Sequence, residues 1–214
     1  MCPRKYLRRL ISSLLLVSAI IHPALAERDR PHIDSSKGYN MLLSDQDTLL
    51  RGVSLSWDGG DPYGRIPLVM PSQESLNALV EVYGFNTLHL YLEGDSEGNT
   101  DPVGTNAEQC DILVERCAKA GLYLVFTIGC NGHNGHIDSM QFCIDFWNFY
   151  GPRYKDRTHV FYEAKNEPVA YTCGHWNDED LDKQITFYQT MRAAAPDTLL
   201  LLCSYQGLNN PDAA

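Results

Sequence analysis

No segment after residue 26 carries the roughly 20 consecutive apolar residues that a membrane-spanning helix needs. A chain without one is expected to be soluble once those first residues are removed. Basic residues are scarce there too: thirteen Lys and Arg stand against twenty-seven Asp and Glu, a formal charge of −14. A surface of that sign repels phosphate backbones and anionic lipid heads, so nucleic acid and membrane are excluded as partners. Also missing is a G-x-G-x-x-G run after the first strand-like segment, which from Ser54 reads S-L-S-W-D-G-G-D-P-Y-G. That absence disfavours an open-sheet nucleotide enzyme, which holds its phosphates with such a loop.

The first 26 residues form a unit of their own. Arg4, Lys5, Arg8 and Arg9 precede an apolar stretch, Leu10 to Ile21, and then Ala24-Leu25-Ala26. A basic start, a short apolar core and an A-x-A site are the marks of a secretory signal peptide. Residues 27–214 are therefore expected outside the cytoplasm, extracellular or periplasmic. Six of the seven cysteines lie in this part: 110, 117, 130, 143, 173 and 203. Export permits disulfides. Cys110 and Cys117 are seven residues apart on a predicted helix, about 10 Å along its axis, too far to pair with each other. They are read as buried thiols, and Cys130 with Cys173 as the candidate bridge.

Five apolar runs rich in β-branched and aromatic residues follow: 50–57, 86–92, 122–129, 159–166 and 198–205. Their starts are 36, 36, 37 and 39 residues apart. Helical patterns lie between them. Leu76, Leu79, Val80 and Tyr83 share one face, with Ser72 as cap and Gly84 as stop. Cys110, Leu113, Val114 and Cys117 mark a second helix, stopped by Gly121. Phe142, Phe146 and Phe149 mark a third, capped by Ser139. Leu181, Ile185 and Tyr188 mark a fourth, opened by Asp178-Glu179-Asp180. Strand and helix alternating at a steady period predict βαβ units and a parallel sheet covered on both faces. The fold class expected is α/β, a (β/α)8 TIM barrel cut after strand five. A complete barrel typically needs ~250 residues. The expected division is a signal peptide at 1–26, an N-terminal extension at 27–49 and a partial catalytic domain at 50–214.

In such a barrel the chemistry sits at the C-terminal ends of the strands. The fourth apolar run ends V-F-Y-E-A-K-N-E-P, residues 160–168. Glu167 lies where the strand gives way to a loop, beside an amide and before a proline that stops the strand. A carboxyl there can act as a general acid when its surroundings raise its pKa. Alternation puts Glu163, Lys165 and Glu167 on one side of the strand, with Glu163 and Lys165 expected as a buried structural ion pair below Glu167. Aromatic residues recur at strand ends, where sugar rings would stack: Trp57, Tyr91, Trp176 and Tyr205. Trp57 and Trp176 are equally readable as packing residues. His89, inside the second run, is read either as a satisfied inward histidine or as a substrate contact.

The segment at 160–168 resembles the fourth strand of the cellulase-type glycoside hydrolases of family 5, and L-R-G-V-S-L-S-W at 50–57 resembles their first strand. The resemblance implies a polysaccharide or oligosaccharide substrate with β links, hydrolysis with retention of configuration, Glu167 as acid/base and Asn166 as a ligand of the sugar 2-hydroxyl. It implies no cofactor. The family's nucleophile is a second Glu on strand seven, and a His-x-Tyr sits on strand six; both positions fall outside residues 1–214. Two departures stand out. His89 occupies the strand-two position where the family usually carries Arg, and Gly129 the end of strand three where it often has His. They leave open a secreted carbohydrate-binding protein without catalysis, or an inactive fragment. The loop after strand three, C-N-G-H-N-G-H-I-D, spaces Cys130, His133, His136 and Asp138 like metal ligands. It is glycine-rich with no helix to hold them, so it is read as a substrate-contacting loop and no metal is expected.

The leader reading has a direct check. N-terminal sequencing of the exported protein should begin at Glu27; retention of Ala24-Leu25-Ala26 would overturn it.

Overall fold

A computed structural model describes residues 27–55, 70–93, 95–96, 99–100, 102–129, 137, 139–166, 168 and 178–202. Within them, β1 (His32–Asp34) and β2 (Met41–Leu43) form an antiparallel hairpin. Then β3 (Gly52–Leu55), α1 (Gln73–Glu81) and β4 (Thr87–Leu92) lead to a small hairpin of β5 (Asp95–Ser96) and β6 (Asn99–Thr100). The chain continues through α2 (Ala107–Ala120), β7 (Tyr123–Ile128), α3 (Met140–Tyr154), β8 (Val160–Glu163), α4 (Asp178–Ala194) and β9 (Leu200–Leu201). Strands β3, β4, β7, β8 and β9 pair in that order, all parallel. The expected strand–helix alternation is therefore present. The sheet is not closed: β3 and β9 are its two edges among the described residues.

The helix ends follow local chemistry. Ser72 Oγ accepts from Ser75 N at 3.1 Å and Ser139 Oγ from Phe142 N at 3.1 Å, each capping a helix start. Gly121 closes α2 at φ 70°, in the left-handed region that favours glycine. α4 begins at Asp178, where its three acidic residues meet the positive end of the helix dipole.

Period-two alternation divides each strand between two environments. Leu88, Leu90 and Leu92 on β4, Leu124, Phe126 and Ile128 on β7, and Val160 and Tyr162 on β8 join the helix-covered core with Leu76, Leu113, Val114, Phe146, Trp147 and Met191. Fully burying a Leu or Phe side chain contributes about 1.5–3 kcal/mol. The opposite, inner face carries Tyr123, Val125 and Phe161, packed with Leu50, Leu199 and Leu201. Cys110, Cys117 and Cys143 are buried, Cys110 and Cys117 as free thiols. Burial pushes the Cys117 thiol up to about 12, so it stays protonated and unreactive. Cys130 and Cys173 lie outside the described residues.

Three helix faces differ from the pattern expected. Tyr83 is exposed because α1 ends at Glu81 and the chain turns away through Gly84 at φ 68°. Phe149 is half-exposed; its ring lies over Gly104, where a Cβ would overlap it. On α4 the apolar stripe Leu181, Ile185 and Tyr188 faces outward at 47, 43 and 45% exposure, and Phe187 and Met191 are buried instead. α3 packs against α4, and Gly151 leaves no room for a Cβ beside Ala194. That close approach decides the rotation of α4 about its axis.

The N-terminal segment straps the opposite end of the sheet from the strand C-termini. Arg28 Nε donates to Gly121 O at 2.6 Å, its guanidinium lies 5.2 Å from the centre of the Tyr123 ring, and it pairs with Asp45 at 2.9 Å. Tyr123 OH donates to Asp29 O at 2.9 Å. Glu27 accepts from Thr158 N at 2.8 Å, pairs with Arg157 at 3.1 Å and meets Nδ1 of the fully buried His159 at 2.9 Å. Burial works against the Glu27 charge, but the hydrogen bonds from His159 and Arg157 outweigh it and hold the carboxyl below its ordinary value. Arg157 also pairs with the exposed Glu115. Among the described residues no helix is long and apolar enough to cross a membrane.

Glu27→Ala should lower unfolding stability by about 1–3 kcal/mol, because the buried His159 and the Thr158 amide lose their partner. Glu115→Ala, an exposed pair, should cost less than about 1 kcal/mol. Denaturant unfolding of the two variants checks this; equal losses would refute the strap.

Candidate active site

The C-terminal ends of the inner strands are tied together through backbone. Gly129 N donates to Leu92 O at 3.0 Å, and Asn166 N donates to Ile128 O at 3.4 Å. These bonds carry the parallel pairing past the ends of β4, β7 and β8. They also explain one departure from the expected pattern. A Cβ on Gly129 would overlap the Leu92 carbonyl oxygen, so no larger residue, histidine included, fits this backbone.

On the inner face the side chains become polar from the level of Val125 and Phe161 onward. The register aligns His89 with Val125 and Phe161, and Tyr91 with Thr127 and Glu163. His89 Nε2 lies 2.5 Å from Glu163 Oε2. The imidazole meets the Tyr91 ring edge-on, centroids 4.7 Å apart at 67°. Tyr91 OH is 3.4 Å from Ser54 Oγ on β3. Lys165, two residues past the end of β8, is buried like Glu163, and both are engaged in further contacts. What the sequence reading did not assign is the partnership of Glu163 with His89, two strands away.

Of the residues singled out from the sequence, Asn166 is thus at the C-terminal end of the sheet, Tyr91 near the end of β4, and His89 one inner-face level below it, beside Val125. Glu167, Trp57, Trp176 and Tyr205 lie outside the described residues, as do Cys130, His133, His136 and Asp138. Among the described residues no group of three His, Cys, Asp or Glu could hold a metal ion.

A second carboxylate went unnoticed in the sequence. Glu93 follows β4 directly and is only 1% exposed. Its Oε1 accepts from Tyr150 OH at 2.5 Å, Asn106 N at 2.8 Å and Asn106 Nδ2 at 3.3 Å, and its Oε2 from Gly104 N at 3.3 Å. The group therefore pins the approach to α2 against α3. Burial raises its pKa, partly offset by the bonds from Tyr150, Asn106 and Gly104. The signal available in the sequence was an acidic residue immediately after an apolar strand, a place where solvation alone would not require one.

Glu93→Leu leaves four donors without an acceptor and should destabilise by about 3 kcal/mol or more; Glu93→Gln, which keeps a carbonyl, should cost less. Because the folded pKa is raised, the folded state binds the proton more tightly than the unfolded one. The stability of the parent relative to Glu93→Gln should therefore fall as pH rises from the ordinary 4.5 through the raised value. Denaturant unfolding across that range checks the sign.

The family model described as Cellulase (glycosyl hydrolase family 5) matches residues 41–214. No curated protein matches. Among solved structures the chain is similar to the β-glucanase from Saccharophagus degradans, with 18% identity, a TM-score of 0.61, and coverage of 86% of this chain and 56% of that one. It is similar to the catalytic domain of the major endoglucanase from Xanthomonas campestris pv. campestris, with 17% identity, TM-score 0.57, and coverage of 80% and 57%. A structure described as a cellulase shares 19% identity at TM-score 0.57, over 85% of this chain and 55% of that one. The chain thus spans a little over half the length of these structures, and the likeness is one of fold: a partial (β/α) barrel.

Proposed function

The chain belongs to glycosyl hydrolase family 5, and we propose that it carries the acid/base portion of a secreted, retaining glycosidase acting on a β-linked polysaccharide such as a glucan or mannan. The observation that carries this reading is the N-E-P of Asn166–Pro168, directly after the strand whose end is tied to the other strand ends by the Asn166 amide. In this reading Glu167 protonates the leaving oxygen and then activates water. Asn166 binds the 2-hydroxyl of the sugar beside the scissile bond. His89, Tyr91, Trp57, Trp176 and Tyr205 contact the sugar rings. Retention needs a second carboxyl about 5–5.5 Å from the first. The family places it on strand seven, so the nucleophile comes from outside residues 1–214.

A carbohydrate-binding protein without catalysis is the second reading. It is favoured by His89, tied to Glu163 at the position where the family usually carries Arg.

Hydrolysis of carboxymethyl cellulose, β-mannan and aryl β-glucosides by the full reading frame, beside Glu167→Gln, separates the two. Loss of about 10²–10⁴-fold in the variant is expected from removal of a general acid/base. Sugar binding with no hydrolysis in the parent would establish the second reading.

A further inference from the structure

We infer that Glu163 is a positioning residue that orients His89 as a hydrogen-bonding contact for a sugar hydroxyl, an inference that rests on the carbohydrate-site reading. Strands β4 and β8 are not neighbours; β7 lies between them, so their backbones are about 10 Å apart. Their side chains meet because both project from the inner face and the residues of β7 beneath them, Val125 and Thr127, are small. The pair spans the level of Val125 and Phe161 and the next level, that of Thr127, where the inner face changes from packing to polar chemistry.

The imidazole is held on two sides. Glu163 Oε2 engages Nε2 at 2.5 Å, and the Tyr91 ring abuts it edge-on at 4.7 Å. A carboxylate can only accept, so the proton on this bond belongs to Nε2. In the neutral ring Nδ1 is then a bare acceptor, its tautomer chosen by the bond the other nitrogen makes. The His89 side chain is 23% exposed and that of Glu163 11%, so the ring is the member of the pair that a ligand meets more readily. A ring with one nitrogen occupied and the other an acceptor suits a ligand that presents hydroxyl donors, as a sugar does. In this order of action Glu163 binds the ring and the ring binds the sugar.

Histidine-selective ¹⁵N labelling of the full chain, with the His89 signal assigned by His89→Gln, reads the tautomer directly. The Nε2–H form is expected in the parent, with loss of that preference in Glu163→Ala. Cellotetraose or mannotetraose should then shift the Nδ1 resonance. In hydrolysis, His89→Ala and Glu163→Ala should each raise KM about tenfold with kcat little changed, and the double variant should be no worse than His89→Ala alone, the non-additivity of groups acting in series. An Nδ1–H ring, an Nδ1 signal indifferent to both oligosaccharides, or additive losses in KM would overturn the inference. Glu163→Gln and His89→Gln carry the same comparison should the alanine variants fail to fold. If the parent hydrolyses nothing but either tetraose shifts Nδ1, the glycosidase reading falls and this one stands. If it hydrolyses substrate while Nδ1 is unmoved, this one falls alone.

Discussion

Side-chain alternation along parallel strands organises the molecule, because a strand covered on both sides must satisfy two environments with one sequence. On β4 the leucines at 88, 90 and 92 go to the helices, leaving 89 and 91 for the inner face. On β7 the same division sends Leu124, Phe126 and Ile128 outward and leaves Val125 and Thr127 inside. A slip of one residue in β4 would exchange His89 for a leucine and bury the imidazole in the helix layer. The packing of the core and the polarity of the inner face are therefore one constraint seen from two sides.

Backbone proximity is the second requirement. Gly52 lies against the Thr87 carbonyl, Gly129 against that of Leu92 and Gly151 against Ala194, and a Cβ at any of them would overlap its neighbour. The first two bring strands together at opposite ends of β4; the third seats one helix on another. Glu93 works in the same direction with polar chemistry. It gathers Tyr150, Asn106 and Gly104 around one buried carboxyl, so the approach to α2 is held by α3 as well as by the strand that precedes it. At the other end of the sheet the strap through Glu27, Arg28 and Asp29 joins the starts of β7 and β8.

Much of this architecture was legible in advance. The spacing of the apolar runs named five strands in the right order, and Ser72, Ser139 and Gly121 marked helix ends because capping is a local matter of one side chain and a few amides. The buried thiols at 110 and 117 followed from helical spacing alone. The misread faces have a common cause. Leu181, Ile185 and Tyr188 form a correct helical stripe, yet the stripe does not say which side meets a neighbour; the contact at Gly151 does. Tyr83 and Phe149 failed for similar reasons, one carried off its face by the turn at Gly84, the other recruited to cover Gly104.

The amino-acid sequence by itself determined the strand and helix order, the alternation that divides each strand between two faces, and the placing of Asn166 just after a strand. These depend on residues near one another in the chain, where period and capping chemistry act. The tertiary structure alone decided that His89 meets Glu163 across an intervening strand, that Glu93 is enclosed by donors from α3 and from the segment leading into α2, and why the position at 129 excludes a side chain. Each of these depends on atoms far apart in sequence, brought within bonding distance by the curvature and register of the sheet.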